Sequence, residues 1–524
     1  MRASTLCELI SFQSRHLSNH LAYVTPTRNW SYSDVDLESS RLAQGLGSLG
    51  IGPGDRVGCL TKHTVEYIVL VLACAKLGAV CAPYNWRLAA PELEYVINLS
   101  EARILLADKF LLPTLTQVPM PNVMRTLVVD ATNDTDSLSV WRSSFPAQDV
   151  SHVGQETDTV LQLCSSGTTG LPKAVDLSHL GLLTMCERVE EYFGPGQSIV
   201  QLNVLPTFHV MGTVFPIWSL FAGAMTVADP EFVPENVLAA ISKYRVNLVV
   251  LVPAMLQFLL RTPGIEAADL SSLKTIGYGG SPIGEQLVSD VLRVFGCDLV
   301  QVYGATEVSG MLTALSAADH RTATTYPDLL RSAGKAVGDV QLRIVNPGTL
   351  MDVGDGEVGE IWARTRTLMN GYFRNESATR DVFPEGRDAD GLGGWYRTGD
   401  AGYLRDGYLY INDRVKDMVI SGGENIYPAE VENVVLMHPA VSDVAVIGVP
   451  DALWGEAVKA CVVLKPDACA TEQEIIEFTR ARLAHYKCPK SIDFVNELPR
   501  NPTGKLLKRV LRQKYWPDNG RQVA

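Results

Sequence analysis

The stretch Leu163-Cys-Ser-Ser-Gly-Thr-Thr-Gly-Leu-Pro-Lys-Ala-Val175 follows directly on an apolar run, Thr159 to Leu163. A strand that runs into a loop of small and hydroxyl-bearing residues is the plan of an α/β sheet with a ligand beyond its carboxyl edge. Small residues let the backbone approach a phosphate, N–H and hydroxyl groups donate to its oxygens, and Lys173 supplies charge. The spacing departs from the P-loop, which needs four residues between its glycines and then Gly-Lys-Ser/Thr. Here two residues separate Gly167 from Gly170, and Leu-Pro precedes Lys173. The loop points to a nucleotide chemistry of another kind.

The same strand-then-loop grammar recurs downstream. Asn247 to Val252 reads as a strand, and Pro253 then opens a helical stretch, Ala254 to Leu260. Leu273 to Tyr278 reads as a second strand and runs into Gly279-Gly280-Ser281-Pro282. Apolar residues at Leu287, Val288, Val291, Leu292 and Phe295 predict a helix over Glu285 to Phe295. Asp298 to Val302 reads as a third strand and leads into Tyr303-Gly-Ala-Thr-Glu307. Repeated strand–loop–helix units predict α/β layers of mostly parallel strands, with the loops at 164–173, 279–282 and 303–307 converging on one site.

After about residue 340 the texture changes to short strands joined by Gly/Asp turns, as in Glu357 to Arg364 and Tyr408 to Asn412. Val444 to Val449 and Ala457 to Leu464 read as strands and Glu472 to Ala484 as a helix. The expected organisation is a large domain over 1–412 and a small α+β domain over 413–524.

The chain has 524 residues, too many for a single core. A net charge of −13 argues against nucleic-acid binding, which requires a basic face. Ten scattered cysteines show no CxxC pair. Free thiols in a reducing compartment are expected. The first ten residues lack the apolar core of a secretory signal. The apolar run Tyr67 to Ala75 is too short for a bilayer of about 30 Å and predicts a buried helix ending near Gly78. A cytoplasmic protein is expected; monomer and homodimer both stay open.

Five motifs occur in a fixed order: Ser165-Ser-Gly-Thr-Thr-Gly-Leu-Pro-Lys173, Tyr303-Gly-Ala-Thr-Glu307, Tyr396-Arg-Thr-Gly-Asp400, Asp413-Arg-Val-Lys-Asp417 with Ser421-Gly-Gly-Glu-Asn-Ile426, and Asn501-Pro-Thr-Gly-Lys505. In content and order they resemble the adenylate-forming superfamily: acyl-CoA synthetases, coumarate-CoA ligases, beetle luciferases and adenylation domains of peptide synthetases. The resemblance covers nearly the whole chain and lies nearest the fatty-acyl-CoA ligases. It implies a two-step reaction. A carboxylate attacks the α-phosphate of ATP, giving acyl-adenylate and pyrophosphate; CoA thiol then attacks the acyl carbonyl and AMP leaves. The first step brings anions together and calls for cations, Mg²⁺ and backbone donors.

Carried over residue by residue, the resemblance assigns Ser165, Ser166, Gly167, Thr168, Thr169, Gly170 and Lys173 to the β- and γ-phosphates. Tyr303 stacks on adenine beside Gly280 and Ser281. Thr306 and Glu307 meet the α-phosphate and Mg²⁺. Asp400 accepts from the ribose hydroxyls, and Arg414 reaches the ribose or phosphate. Lys505 bridges carboxylate and α-phosphate in adenylation. His209, Gly279, Gly304 and Val308 border the acyl pocket, His209 also the thiol tunnel. Gly422 and Gly423 face CoA, and Asp413 is the hinge about which the small domain, mobile in the family, turns between the two steps. Read one at a time, several of these have plainer roles: Tyr303 as core, Glu307 as a solvated surface group, and Lys505, with Lys508 and Arg509 behind it, as a basic solvated helix end.

One position breaks the pattern. The family loop ends Pro-Lys-Gly, but here it ends Pro172-Lys173-Ala174. If that position needs a positive φ, the alanine costs roughly 1–2 kcal/mol. Three functions follow. The first is the full acyl-CoA ligase reaction. The second is a half-enzyme that mainly thioesterifies a supplied acyl-adenylate. The third, of another class, is a non-catalytic acyl-nucleotide binder, against which the retained Lys505 and Glu307 weigh.

Overall fold

The computed structural model describes residues 3–129, 137–148, 150, 154–165, 171–281, 283–323, 325–388, 393–422, 424–500 and 506–516. The chain divides into two compact units. One comprises 1–341 with 363–396, the other 342–362 with 397–524.

The larger unit holds two sheets. In the nine-stranded sheet, Asp298–Ala305, Thr275–Gly279, Leu248–Leu251, Val200–Asn203, Met225–Ala228 and Leu21–Val24 run parallel as neighbours in that order. Antiparallel strands close both edges. Every residue of Leu248–Leu251 is buried, as a parallel strand covered on both faces requires. The seven-stranded sheet pairs Thr159–Cys164, Val80–Pro83, Arg56–Leu60, Ile104–Asp108 and Arg125–Val129 in parallel. Ala174–Ser178 pairs antiparallel with Thr159–Cys164, with Ala174 opposite Cys164.

The predicted helix over Glu285–Phe295 forms with those limits. Val288, Val291 and Phe295 are buried, and Leu287 and Leu292 pack beside them against the strands at 248–251 and 275–279. The apolar run at 67–75 lies within the helix Thr64–Leu77, buried on nearly every side because it has no polar face to offer water. Its end is set by Gly78 at φ +68, a conformation that costs glycine nothing. Two polar groups that it takes inside, Tyr67 and Lys76, are partnered. Tyr67 Oη lies 2.7 Å from Thr213 Oγ1, and Lys76 Nζ 2.8 Å from Asp36 Oδ1.

Four strands, Gln341–Val345, Gly359–Arg364, Tyr396–Arg405 and Tyr408–Arg414, make a third sheet, most of it in the second unit. Farther along that unit, Glu424–Ile426, Val419–Ser421, Gly455–Leu464 and Val441–Asp451 pair in order, and Ser491–Phe494 adds in parallel to Gly455–Leu464. The helix expected to reach Ala484 stops at Arg480. The chain turns there and brings Leu483 back onto the apolar core under that sheet.

All ten cysteines are free thiols; Cys164 and Cys297 are half-buried and Cys469 is exposed. Among the described residues no helix is long and apolar enough to cross a membrane.

Candidate active site

Sheet register places the first candidates side by side. Gly279 pairs with Val302 across neighbouring parallel strands, so Gly280-Ser281 and Tyr303 leave adjacent strand ends together. Gly280 sits at φ +81, which aims the chain away from the sheet. A Cβ on Gly279 would stand 2.3 Å from Val302 O, and one on Gly304 would stand 1.6 Å from Gly310 O. Both glycines let backbones touch, so their small size already serves the sheet itself. Gly304 also falls at an irregularity between Tyr303 and Gly304, which re-aims Tyr303.

Thr306, Glu307 and Val308 form one 3₁₀ turn between strands. Val308 is fully buried and anchors the turn, while Thr306 and Glu307 are half-buried. Ser309 closes the turn at φ +57, and its hydroxyl donates to Thr367 O at 2.8 Å.

The base of the phosphate loop is closed by two hydrogen bonds. Ser165 N donates to Lys173 O at 2.8 Å, and Lys173 N donates to Ser165 Oγ at 3.2 Å. Ser166, Gly167, Thr168, Thr169 and Gly170 lie outside the described residues, as do Gly423 and Lys505. Ala174 is the first residue of the strand that follows, paired with Cys164 and buried. Its φ is not positive. The strain feared for alanine at this position is absent, because an extended strand accepts any Cβ.

Tyr372 joins these two groups and went unnoticed in sequence. Its hydroxyl donates to Glu307 Oε1 at 2.9 Å. The Lys173 ammonium lies 4.7 Å from the centre of its ring. Its strand pairs antiparallel with Ala174–Ser178, Tyr372 opposite Val175, and the next amide, Phe373 N, donates to Ala174 O at 2.8 Å. One aromatic side chain thus touches the loop's cation with its face and the expected metal-binding carboxylate with its hydroxyl. The signal was thin: a Gly-Tyr pair before an N-capped helix reads as an ordinary turn.

His209 caps the amino end of the helix Val210–Ala222 and leans on Phe208, with ring centres 4.5 Å apart. Its Nε2 is enclosed and has no hydrogen-bond partner among the described residues. Burial, helped by the positive charge of Arg87, pushes its pKa down to about 4. His209 is therefore a neutral ring with one unused nitrogen.

In the second unit, Asp400 and Arg414 are cross-strand partners, with Arg414 Nε 2.5 Å from Asp400 Oδ1. One oxygen of the expected ribose acceptor is thus braced by the expected ribose or phosphate cation. Gly422 sits at φ +61, and a Cβ there would stand 2.6 Å from the Trp454 ring. Its N–H donates to Trp454 O at 2.8 Å. Trp454, half exposed with Lys490 Nζ 4.9 Å above its ring, is a second residue missed in sequence. Among the described residues no group of three metal-ligating side chains stands together. A site with Glu307 as its one protein carboxylate fits an ion held mainly by phosphate oxygens and water, the usual habit of Mg²⁺.

Residues 11–373 match the model of the AMP-binding enzyme family, and 430–505 that of the AMP-binding enzyme C-terminal domain. The chain belongs to the AMP-binding, adenylate-forming enzymes. It is 33% identical over 525 residues to the fatty acid–[acyl-carrier-protein] ligase ScoC of Streptomyces coeruleorubidus, covering 99% of this chain and 98% of that one. It is 36% identical to the long-chain-fatty-acid–CoA ligase FadD13 of Mycobacterium tuberculosis, covering 94% and 95%. The crystal structure of ATP-bound MatB from Rhodopseudomonas palustris superposes with a TM-score of 0.88 at 29% identity, covering 97% of this chain and 99% of that one. The resemblance read from five motifs and the α/β architecture expected with it both hold.

Proposed function

We propose that this adenylate-forming enzyme is an acyl-CoA ligase, converting a carboxylic acid, ATP and CoA to acyl-CoA, AMP and pyrophosphate through an acyl-adenylate. The observation that carries the reading is the Lys173–Tyr372–Glu307 contact. It sets a cation and a metal-side carboxylate a ring's width apart, matching the spread of charge along a triphosphate. In adenylation, Lys173 and the loop amides neutralise the leaving pyrophosphate. Lys505 steadies the two anions that meet at the α-phosphate. Tyr303, Gly280 and Ser281 hold adenine, and Asp400 with Arg414 the ribose. Glu307 would hold Mg²⁺, which would supply Lewis-acid stabilisation of phosphate charge. In thioesterification, Gly422 and Gly423 border the thiol's path, and neutral His209 borders the acyl group without adding charge beside it.

Ala174 in extended backbone favours the full reaction over the half-enzyme, since no strain there disables the ATP side. The acid is aliphatic or aromatic, because the pocket positions offer no carboxylate to meet an α-amino group. The free thiols fit a cytoplasmic setting. The likeness to ScoC over almost its whole length makes an acyl-carrier-protein thiol the second reading.

A panel of fatty and aryl acids, read by mass spectrometry as thioesters of CoA or of a holo acyl carrier protein, tests this. One arm supplies ATP and acid, the other preformed acyl-adenylate. Thioester in the first arm supports the full reaction; thioester in the second alone leaves the half-enzyme. No thioester in either leaves the binder.

A further inference from the structure

The C-terminal helix Lys508–Arg512 lies just beyond the last motif, and on sequence its charges read as solvated. The structure places them otherwise. Lys508 Nζ lies 3.1 Å from Asp413 Oδ2 and 2.9 Å from Glu432 Oε1, and its side chain is only 10% exposed. One turn on, Arg512 pairs with Asp417, and its Nη1 donates to Lys416 O at 3.2 Å. Residues four apart share a helix face, so this helix grips both ends of the segment 413–417.

Asp413 is held from other sides as well. Its Oδ1 accepts from the Arg414 N–H at 2.7 Å and its Oδ2 from the Ala429 N–H at 2.9 Å. Glu432 Oε1 also accepts from Val446 N at 2.7 Å. Burial works against the Lys508 ammonium, but Asp413 and Glu432 outweigh it and hold its pKa above that of a free lysine. A buried cation between two carboxylates tolerates little displacement, since either partner left alone would be costly.

The other end of this helix leads back to the adenylation lysine. Arg500 and Leu506 form a β-bridge, and Leu507 N donates to Pro499 O at 2.8 Å. Arg500 is itself fixed by an ion pair to Asp443 at 2.6 Å. Arg500 and Leu506 flank Lys505 in sequence, and Lys508 follows three residues after it.

We propose that Lys508 is a positioning residue for adenylation: with Arg512 it clasps segment 413–417 and fixes the base from which Lys505 is presented. The proposal rests on the ligase reading above, in which Lys505 serves adenylation and Asp413 is the pivot. Precise placement of a reacting group depends on the side chains that hold its base, not only on the group itself. The clasp ties the helix that follows Lys505 in sequence to the segment at the pivot. Thioesterification, which draws on the Gly422 side, does not need it.

The test uses the full-length protein with Lys508→Met, Lys508→Arg and Arg512→Met. Two rates are measured on each: acid-dependent ATP–pyrophosphate exchange, and CoA thioester formation from preformed acyl-adenylate. Melting temperature is recorded alongside. Lys508→Met is expected to lower exchange kcat about tenfold or more, the size of loss that misplacing a reacting group produces. KM for ATP and acid should stay within about twofold, and the thioester rate within about threefold. Arg512→Met should act in the same direction at about threefold, and Lys508→Arg should recover most of the exchange. Parallel loss of both rates, or loss of neither, overturns the clasp while leaving the ligase reading intact. A wild type that forms no thioester from ATP and acid overturns that reading and the clasp with it. If Lys508→Met does not fold, the same two rates on Arg512→Met decide.

Discussion

Lys173 in the larger unit and Lys508 in the smaller one handle charge in opposite ways. In the larger unit the loop cation Lys173 rests on a tyrosine face, and its expected counterpart Glu307 takes a neutral hydroxyl. In the smaller unit Lys508 and Arg512 sit on carboxylates, Lys508 on two of them. A cation against a ring gives up little when a phosphate arrives, because the contact is worth about 0.5–2 kcal/mol. A buried ammonium between carboxylates cannot be drawn away so cheaply. In the ligase reading, the difference separates a lysine kept for phosphate from one that holds the protein's own parts in register.

The largest expected effect tests the ligand side. Lys505→Met should lower ATP–pyrophosphate exchange by about a hundredfold to a thousandfold, the loss seen when one preorganised charge-stabilising donor is removed. Thioester formation from supplied adenylate should persist, and equal loss of both would end the division of labour drawn here. Next comes Tyr372. Tyr372→Phe keeps the ring under Lys173 and removes only the hydrogen bond to Glu307. A bond to a charged group is worth about 1.5–3 kcal/mol, so exchange at limiting Mg²⁺ should fall about tenfold and recover as Mg²⁺ is raised. Tyr372→Leu should not recover; equal behaviour of the two variants would show that the hydroxyl carries nothing.

A smaller effect concerns pH. The folded pKa of His209 is lowered to about 4, below the ordinary histidine value. As pH falls from about 6.5 to about 4, the unfolded chain takes up a proton that the folded ring refuses, so stability is lost across that window. Melting temperatures of the wild type and His209→Gln, compared from pH 7 to 4.5, should converge as pH falls. A constant gap would mean that the ring titrates in the fold as it does in the unfolded chain. Smallest is Ala174→Gly. In an extended strand it should cost about 0.5–1 kcal/mol of stability and leave exchange unchanged. A large gain in exchange would revive the half-enzyme.

The layers, the helix at 285–295 and the strand-end loops were legible in sequence, because periodicity and strand-then-glycine junctions are local signals. Tyr303, Thr306 and Glu307 were legible only as members of an ordered motif. Gly279 and Gly304 read as pocket walls for their size, yet their close backbone approaches belong to strand packing, which depends on a neighbour far away in sequence. Tyr372 and Lys508 were not legible at all. Their partners lie 65 and 95 residues away, and nothing near a tyrosine or a lysine announces such a contact.

The Ser165–Lys173 loop and its four companion motifs were enough to name the family, because their residue types and order can be read along the chain without any tertiary contact. The backbone at Ala174, the neutrality of His209 and the partners of Lys173 and Lys508 were decided only by tertiary structure. Burial and the placement of distant charges set those properties, and neither exists until the chain has folded.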